Sequence, residues 1–199
     1  FNGDGVLGKL DGKTVAIIAA HEFEDIELLY PLLRLSEEGA KVIIVPVRSG
    51  LHPRPVAQKP VSGRYGTPIP LEVMQEGKRY VCSDLKSLDT EKIDCLLLPG
   101  GFSPDALRLE ESVLSLVKKM NSLKKIIAAI CHGPQVLISA NLVKGKKMTS
   151  YAAVRDDLTN AGAKFVDEPA VRDGNIITAR VPDDLPEFCQ EIMKALSQK

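Results

Sequence analysis

Lys125-Ile126-Ile127-Ala128-Ala129-Ile130-Cys131-His132-Gly133-Pro134-Gln135-Val136-Leu137 reads as a strand, a sharp turn and the opening of a helix. The run from Ile126 to Ile130 is apolar at every position and follows two lysines, as in a parallel strand covered on both faces. Gly133 and Pro134 end that strand. Pro134 suits the first turn of a helix, where its ring already holds a helical φ and the missing N–H is no loss. Cys131 therefore falls at the hinge, where unpaired helix amides and the helix dipole favour a thiolate. This is the arrangement of a nucleophile elbow, with sulfur in place of a serine oxygen. A free cysteine is more often a small buried apolar side chain. Such a residue has no need of a strand-to-helix hinge followed by His-Gly-Pro, so Cys131 is expected to be the nucleophile and the most reactive thiol.

Outward from the elbow, strand and helix signals alternate. Thr14 to Ala20 is a short apolar strand, followed by the carboxylate-rich stretch His21-Glu22-Phe23-Glu24-Asp25-Ile26-Glu27. Ile26, Leu28, Leu29, Leu32, Leu33 and Leu35 form a helical face, which Gly39 ends before a second strand, Lys41 to Val47. Strand, helix and strand at this spacing imply a parallel pair with a right-handed crossover. Ile93 to Leu98 is a third core strand and contains Cys95, read as structural; it ends at Pro99-Gly100-Gly101. Paired glycines at a strand end allow close approach to a ligand and offer exposed amides, or they form a plain tight turn. Ser103-Pro104-Asp105 opens a helix that continues through Leu107, Leu114, Leu116, Val117 and Met120. The elbow helix runs to Ala140. Met148-Thr149-Ser150-Tyr151 resembles a strand end, and Val154 to Ala161 a short helix. Short strands surround the turn Asp173-Gly174-Asn175, and a last helix runs from Pro182 to about Leu196. The order predicts an α/β fold: a doubly wound, mostly parallel sheet sandwiched by helices. Such sheets bind ligands at the carboxyl ends of their strands, where the Glu24 segment, Gly100-Gly101 and Cys131 all fall.

Residues 48–80 break the alternation, with five prolines between Pro53 and Pro70 and four glycines from Gly50 to Gly77. The stretch is too proline-rich for helices and long for a plain loop. It is expected to be an excursion with one or two short edge strands, either an irregular surface loop or an oligomer contact or pocket lid. The domain reading is an N-terminal extension over 1–12 and one α/β domain over 13–199.

Composition narrows the function classes. In 199 residues, 44% are apolar and 26% charged, and 26 basic residues balance 26 acidic ones. Neutral balance argues against nucleic acid or a membrane surface as the main partner. No apolar run approaches the ~20 residues that span a bilayer, and the first ten residues show no secretory pattern. Cys82, Cys95, Cys131 and Cys189 lack CxxC spacing, which suggests reduced thiols in a cytoplasmic protein. His21, His52 and His132 lack zinc-ligand spacing, so neither a metal nor a cofactor is expected.

Ala129-Ile130-Cys131-His132-Gly133-Pro134 resembles the elbow of the ThiJ/PfpI family, within the glutamine-amidotransferase-like superfamily, and of its intracellular-protease-I-like branch in particular. Phe23-Glu24-Asp25-Ile26-Glu27, Leu98-Pro99-Gly100-Gly101, Leu107-Arg108-Leu109, Thr149-Ser150-Tyr151 and Arg180-Val181-Pro182-Asp183-Asp184-Leu185 match as well. The likeness runs from about Lys13 to Leu196 and is weakest from Gly50 to Val81. It implies a flavodoxin-like, class I glutamine-amidotransferase-like fold. It also implies Cys131 as nucleophile, Glu24 as the glutamate that meets the sulfur, and an oxyanion site at the amides of Gly101 and His132. Gly100 and Tyr151 are candidate pocket residues, though a buried edge tyrosine would serve equally for Tyr151.

The same resemblance pairs His132 with a carboxylate from a neighbouring subunit. The matching position is Asp105, one methylene shorter than the glutamate of that branch. Asp105 is expected mainly to cap its own helix, inside a homo-oligomer (dimer, trimer or hexamer) with sites near the interface. His132 follows Cys131 directly, so on a regular helix their side chains would diverge. It acts either through its ring or only through its amide.

Three functions follow from the likeness. One is a glutathione-independent hydrolase or lyase acting on dicarbonyls (glyoxalase III-type, methylglyoxal to lactate) or on their early adducts on amines (deglycase-type), in stress protection. The second is an intracellular cysteine peptidase. The third is a non-enzymatic redox sensor or chaperone, in which Cys131 is oxidised beside a carboxylate.

Overall fold

The structure is a computed structural model that describes residues 8–49 and 60–198. In chain order its elements are β1 (Thr14–Ala19), α1 (Asp25–Glu37), β2 (Lys41–Pro46), β3 (Tyr80–Cys82), β4 (Cys95–Leu98), α2 (Ser103–Leu107), α3 (Glu111–Ser122), β5 (Ile126–Ile130), α4 (Pro134–Ser139), β6 (Lys147–Met148), α5 (Arg155–Asn160), β7 (Lys164–Phe165), β8 (Ala170–Asp173), β9 (Ile176–Ala179) and α6 (Leu185–Ser197). Seven strands form one sheet in the order β3-β2-β1-β4-β5-β9-β8. All its pairs are parallel except β8 with β9, which the tight turn at Gly174 joins as a hairpin. The doubly wound α/β sheet expected from the alternation is therefore the fold.

The central strands are apolar at nearly every position because both of their faces are covered. Val15, Ile17 and Ala19 point to a core shared with Leu28, Leu32 and Leu35 of α1 and Phe188, Ile192 and Leu196 of α6. Ala16, Ile18, Leu96 and Leu98 point the other way, to Leu107, Val117, Val136 and Leu137 from α2, α3 and α4. The period of two along each strand sorts alternate residues into these layers.

The structure adds detail to the expectations at three places. The helix expected from Ser103 through Met120 is two helices, because Glu110 is extended (φ −89°, ψ 108°) and restarts the backbone at α3. The break lets each piece face its own partner. α2 packs on α4, with Arg108 Nε donating to Ser139 Oγ at 3.0 Å, while α3 covers β5. The strand end expected at Met148–Tyr151 is there, as the end of β6 at Met148, but it lies outside the main sheet. β6 pairs only with β7, in a separate two-stranded ribbon.

The excursion supplies the short edge strand β3, but residues 60–69 do not form a plain surface loop. Ser62 bridges Pro68, and the turn between them docks on the start of α1: Gly63 bridges Phe23, Arg64 N donates to Phe23 O at 2.9 Å, and the Asp25 carboxylate accepts from Tyr65 N and Thr67 N at 3.0 Å each. Residues 50–59 of the excursion and 1–7 of the N-terminal extension lie outside the described residues.

Thr178, fully buried on β9, ties the segment after β6 to the sheet by accepting from Thr149 N at 2.9 Å. Thr178→Val keeps the shape but strands a buried amide. Chemical denaturation is expected to show a loss of about 1–3 kcal/mol for Thr178→Val, and a smaller loss for Thr178→Ser, which keeps the acceptor.

Candidate active site

β1, β4 and β5 are adjacent, and the chain leaves their carboxyl ends toward one place. From β5 it turns through Cys131 at φ +60°, in the left-handed region that side chains other than glycine seldom occupy. Surrounding bonds hold this conformation: Cys131 N donates to Ala179 O, and Cys131 O accepts from Tyr151 N, both at 3.0 Å. Gly133 has no room for a side chain, since a Cβ there would stand 2.6 Å from Leu98 O and 2.8 Å from Ile130 O. From β4 the chain passes Gly100, where a Cβ would lie 2.6 Å from Cys131 Cβ, 2.8 Å from Glu27 Oε2 and 3.0 Å from His132 N. The glycine is thus needed for close approach, and those distances bring the Cys131 side chain, the Glu27 carboxyl and the His132 amide around one point.

The carboxyl at that point belongs to Glu27, which corrects the expectation for Glu24. Glu24 is the residue before α1, with an extended backbone, and its Oε2 pairs with Arg64 at 3.1 Å. Glu27 lies inside the first turn and is fully buried. The geometric reason is the helix period. Glu27 shares the core face with Leu28, Pro31, Leu32 and Leu35, all of which are buried. The sequence carries that signal as a carboxylate on an apolar helical stripe.

Glu27 Oε2 accepts from Gly100 N at 2.7 Å, whereas Oε1 is buried with no geometrically complete hydrogen bond among the described residues. Burial raises the Glu27 carboxyl to about 8, against a lowering by the Gly100 amide; the charge of Glu24 raises it further, and the nearby Cys131 thiol and Arg64 lower it. Cys131 is also buried. Burial, then the charge of Glu27, pushes its thiol up to about 12, although the amides of Gly101 and His132 pull it down. Burial thus opposes the thiolate that these amides and the short helix α4 favour. At neutral pH the Glu27 carboxyl keeps a proton that a free glutamate would release, and because it lies beside the thiol the titration belongs to the pair.

His132 brings both its amide and its ring to the site. Its Nδ1 lies 3.3 Å from Cys131 Sγ. The divergence expected on a regular helix does not arise, because the left-handed backbone of Cys131 precedes the helix. The ring stacks on Tyr151, with centroids 4.9 Å apart and planes inclined by 29°. Burial favours its neutral form, Asp105 opposes this and Arg64 adds to it. Gly101 sits at φ +69°, and a Cβ there would collide with Glu22 O and stand 2.6 Å from Glu24 N, so the position needs glycine.

Asp105 does not cap its helix: Phe102 holds the N-cap place, and the exposed Asp105 carboxylate makes no hydrogen bond among the described residues. Arg64, which carried no sequence signal, lies over the Phe102 ring at 5.4 Å and forms the mouth of the site with Glu24. The described residues contain no group of three or more metal-ligating His, Cys, Asp or Glu side chains, and no helix among them is long and apolar enough to cross a membrane.

A family model described as the DJ-1/PfpI family matches residues 13–195. The chain is 39% identical to "Deglycase PH1704" of Pyrococcus horikoshii, over 92% of this chain and 98% of that protein. It is 37% identical to "Deglycase PfpI" of Pyrococcus furiosus over the same shares. The crystal structure of Drosophila melanogaster DJ-1beta superposes with a TM-score of 0.76 at 28% identity, covering 94% of this chain and 92% of that one.

The raised Glu27 carboxyl couples stability to pH. Between the ordinary value of 4.5 and the folded value of about 8, the folded state keeps a proton that the unfolded chain has released, so stability falls as pH rises through that window. Urea unfolding at pH 5 and pH 8.5 should show a loss in the wild type that Glu27→Gln lacks, the difference being at most about 5 kcal/mol. Equal pH dependence in the two proteins would mean that Glu27 ionises as freely folded as unfolded.

Proposed function

The chain belongs to the DJ-1/PfpI family, and from that premise we propose that it destroys reactive dicarbonyls, free or as early adducts on amines, with Cys131 as nucleophile and Glu27 as acid–base partner. The observation that carries this reading is the buried Glu27 carboxyl, titrating at about 8 beside a cysteine at a strand-to-helix hinge. A group titrating near the working pH can both accept and return a proton. The names of the two Pyrococcus deglycases support the same chemistry.

With methylglyoxal, the Glu27 carboxylate takes the thiol proton as sulfur bonds to the aldehyde carbon. The carbonyl pair moves to oxygen, which the amides of Gly101 and His132 would face, and Glu27 returns the thiol proton to it, giving a hemithioacetal and a free carboxylate. Glu27 then transfers the proton of that carbon to the neighbouring ketone carbon through an enediol, leaving a thioester of lactate. Water cleaves the C–S bond, releasing lactate and the thiol. With an amine adduct, sulfur replaces nitrogen on the same carbon, the C–N bond breaks, and the amine leaves with the thiol proton. No glutathione is consumed in either course.

A second reading, a cysteine peptidase with His132 as base, draws on the 3.3 Å separation of Sγ and Nδ1. Its weakness is the third member, since no carboxylate is bonded to His132 among the described residues and Asp105 is exposed. Asp105→Asn is therefore expected to leave peptide cleavage unchanged, and a loss of cleavage in that variant would tie Asp105 to a neighbouring subunit's site.

Methylglyoxal consumption and lactate formation are expected to vanish in Cys131→Ala and to drop by about 100-fold or more in Glu27→Gln, the usual range for a lost general acid–base. Glu24→Gln is expected to stay within about tenfold of wild type, because its charge lies at the mouth rather than on the reacting atoms. Near-normal turnover by Glu27→Gln would remove Glu27 from the chemistry. A loss in Glu24→Gln as deep as that in Glu27→Gln would restore Glu24 as the partner. Peptide cleavage that exceeds dicarbonyl turnover would favour the second reading.

A further inference from the structure

Tyr151 also borders a cavity of about 280 Å³. Tyr151, Phe165 and Val181 line its apolar side, and Arg155, Arg180 and Asp167 its polar side. Tyr151 joins the cavity to the candidate active site. Its ring stacks on His132, whose Nδ1 is 3.3 Å from the sulfur, and its amide is bonded to Cys131 O. The cavity thus begins one aromatic ring away from the nucleophile.

The two arginines differ in how they are held. Arg180 grips Asp184 through Nε and Nη2 at 2.8 and 3.0 Å, and Asp167 through Nη1 at 2.8 Å. Its charge is answered twice and its plane is fixed, so it serves as wall. Among the described residues the Arg155 side chain pairs only with Asp156, its chain neighbour, at 3.1 Å, and the two side chains are 61% and 79% exposed. An exposed pair of that kind is worth about 0–1 kcal/mol, so the guanidinium can turn to a better partner at little cost. A planar guanidinium above an apolar floor matches an oxyanion group, which it can bind through two parallel N–H donors.

We propose that this cavity is a recognition subsite for the amine half of a dicarbonyl adduct, and that Arg155 selects amines bearing an oxyanion group, an amino-acid carboxylate or a nucleotide phosphate. The proposal rests on the dicarbonyl reading above and adds the class of amine to it. The geometry suits a long linker. A lysine side chain places five or so bonds of ~1.5 Å between its amine and its backbone, enough to pass one stacked ring. Free methylglyoxal has no such half and does not use the cavity.

The test compares wild type, Arg155→Ala and Arg155→Lys on four substrates: methylglyoxal, and its adducts with Nα-acetyllysine, with Nα-acetyllysine amide and with guanosine monophosphate. Arg155→Ala is expected to raise KM about tenfold for one or both oxyanion-bearing adducts, with kcat little changed, because only binding remote from the reacting carbon is lost. Arg155→Lys should recover part of that loss through its charge, without the fork. A KM shift on the acetyllysine adduct alone identifies the carboxylate as the natural group, and a shift on the nucleotide adduct alone identifies the phosphate. An unchanged KM on both, or an equal shift on methylglyoxal and the amide adduct, overturns the subsite while leaving the dicarbonyl reading intact. If the wild type turns over none of the four, the dicarbonyl reading fails and the subsite falls with it.

Discussion

The hydrogen bond from Gly100 N to the buried carboxyl of Glu27, 2.7 Å long, is the contact on which the site depends. It joins the end of β4 to the first turn of α1 and presents the carboxyl to the elbow. A carboxyl taken out of water must be neutral or well bonded. Here one oxygen is bonded by an amide and the other has no complete bond, so the proton is held more tightly than in solution. Stability falls through the same pH range in which this carboxyl would become a base, so folding and chemistry share one titration.

Packing around that contact leaves little freedom in residue choice. Gly100 and Gly133 are glycines because carbon would collide with the elbow, and Cys131 bears a left-handed backbone because bonds to Ala179 and Tyr151 hold it on both sides. This turn also explains why two consecutive side chains, Cys131 and His132, can meet. On a straight helix they would point about 100° apart.

Entry to the site is built by a different part of the chain. Asp25 binds two amides of the turn after residue 60, and that turn carries Arg64 to Glu24 and to the Phe102 ring. A stretch rich in proline and glycine therefore acts as an ordered rim, through contacts made with its backbone more than with its side chains.

By itself, the sequence determined the alternation of strand and helix, the hinge at Cys131, the glycine turn after β4 and the likeness to a family. These features depend on period, on proline and glycine geometry, and on short local motifs, all legible within a dozen residues. Tertiary structure decided which of two glutamates, one helical turn apart, reaches the sulfur. Glu24 and Glu27 have the same chemistry, and only the placement of α1 against β4 gives one to Arg64 and buries the other. It also decided that Asp105 faces solvent rather than capping, that the helix after Ser103 breaks, and that burial opposes the amides at Cys131. Each of these outcomes turns on desolvation or on contacts between residues far apart in the chain, which no local pattern of residue types records.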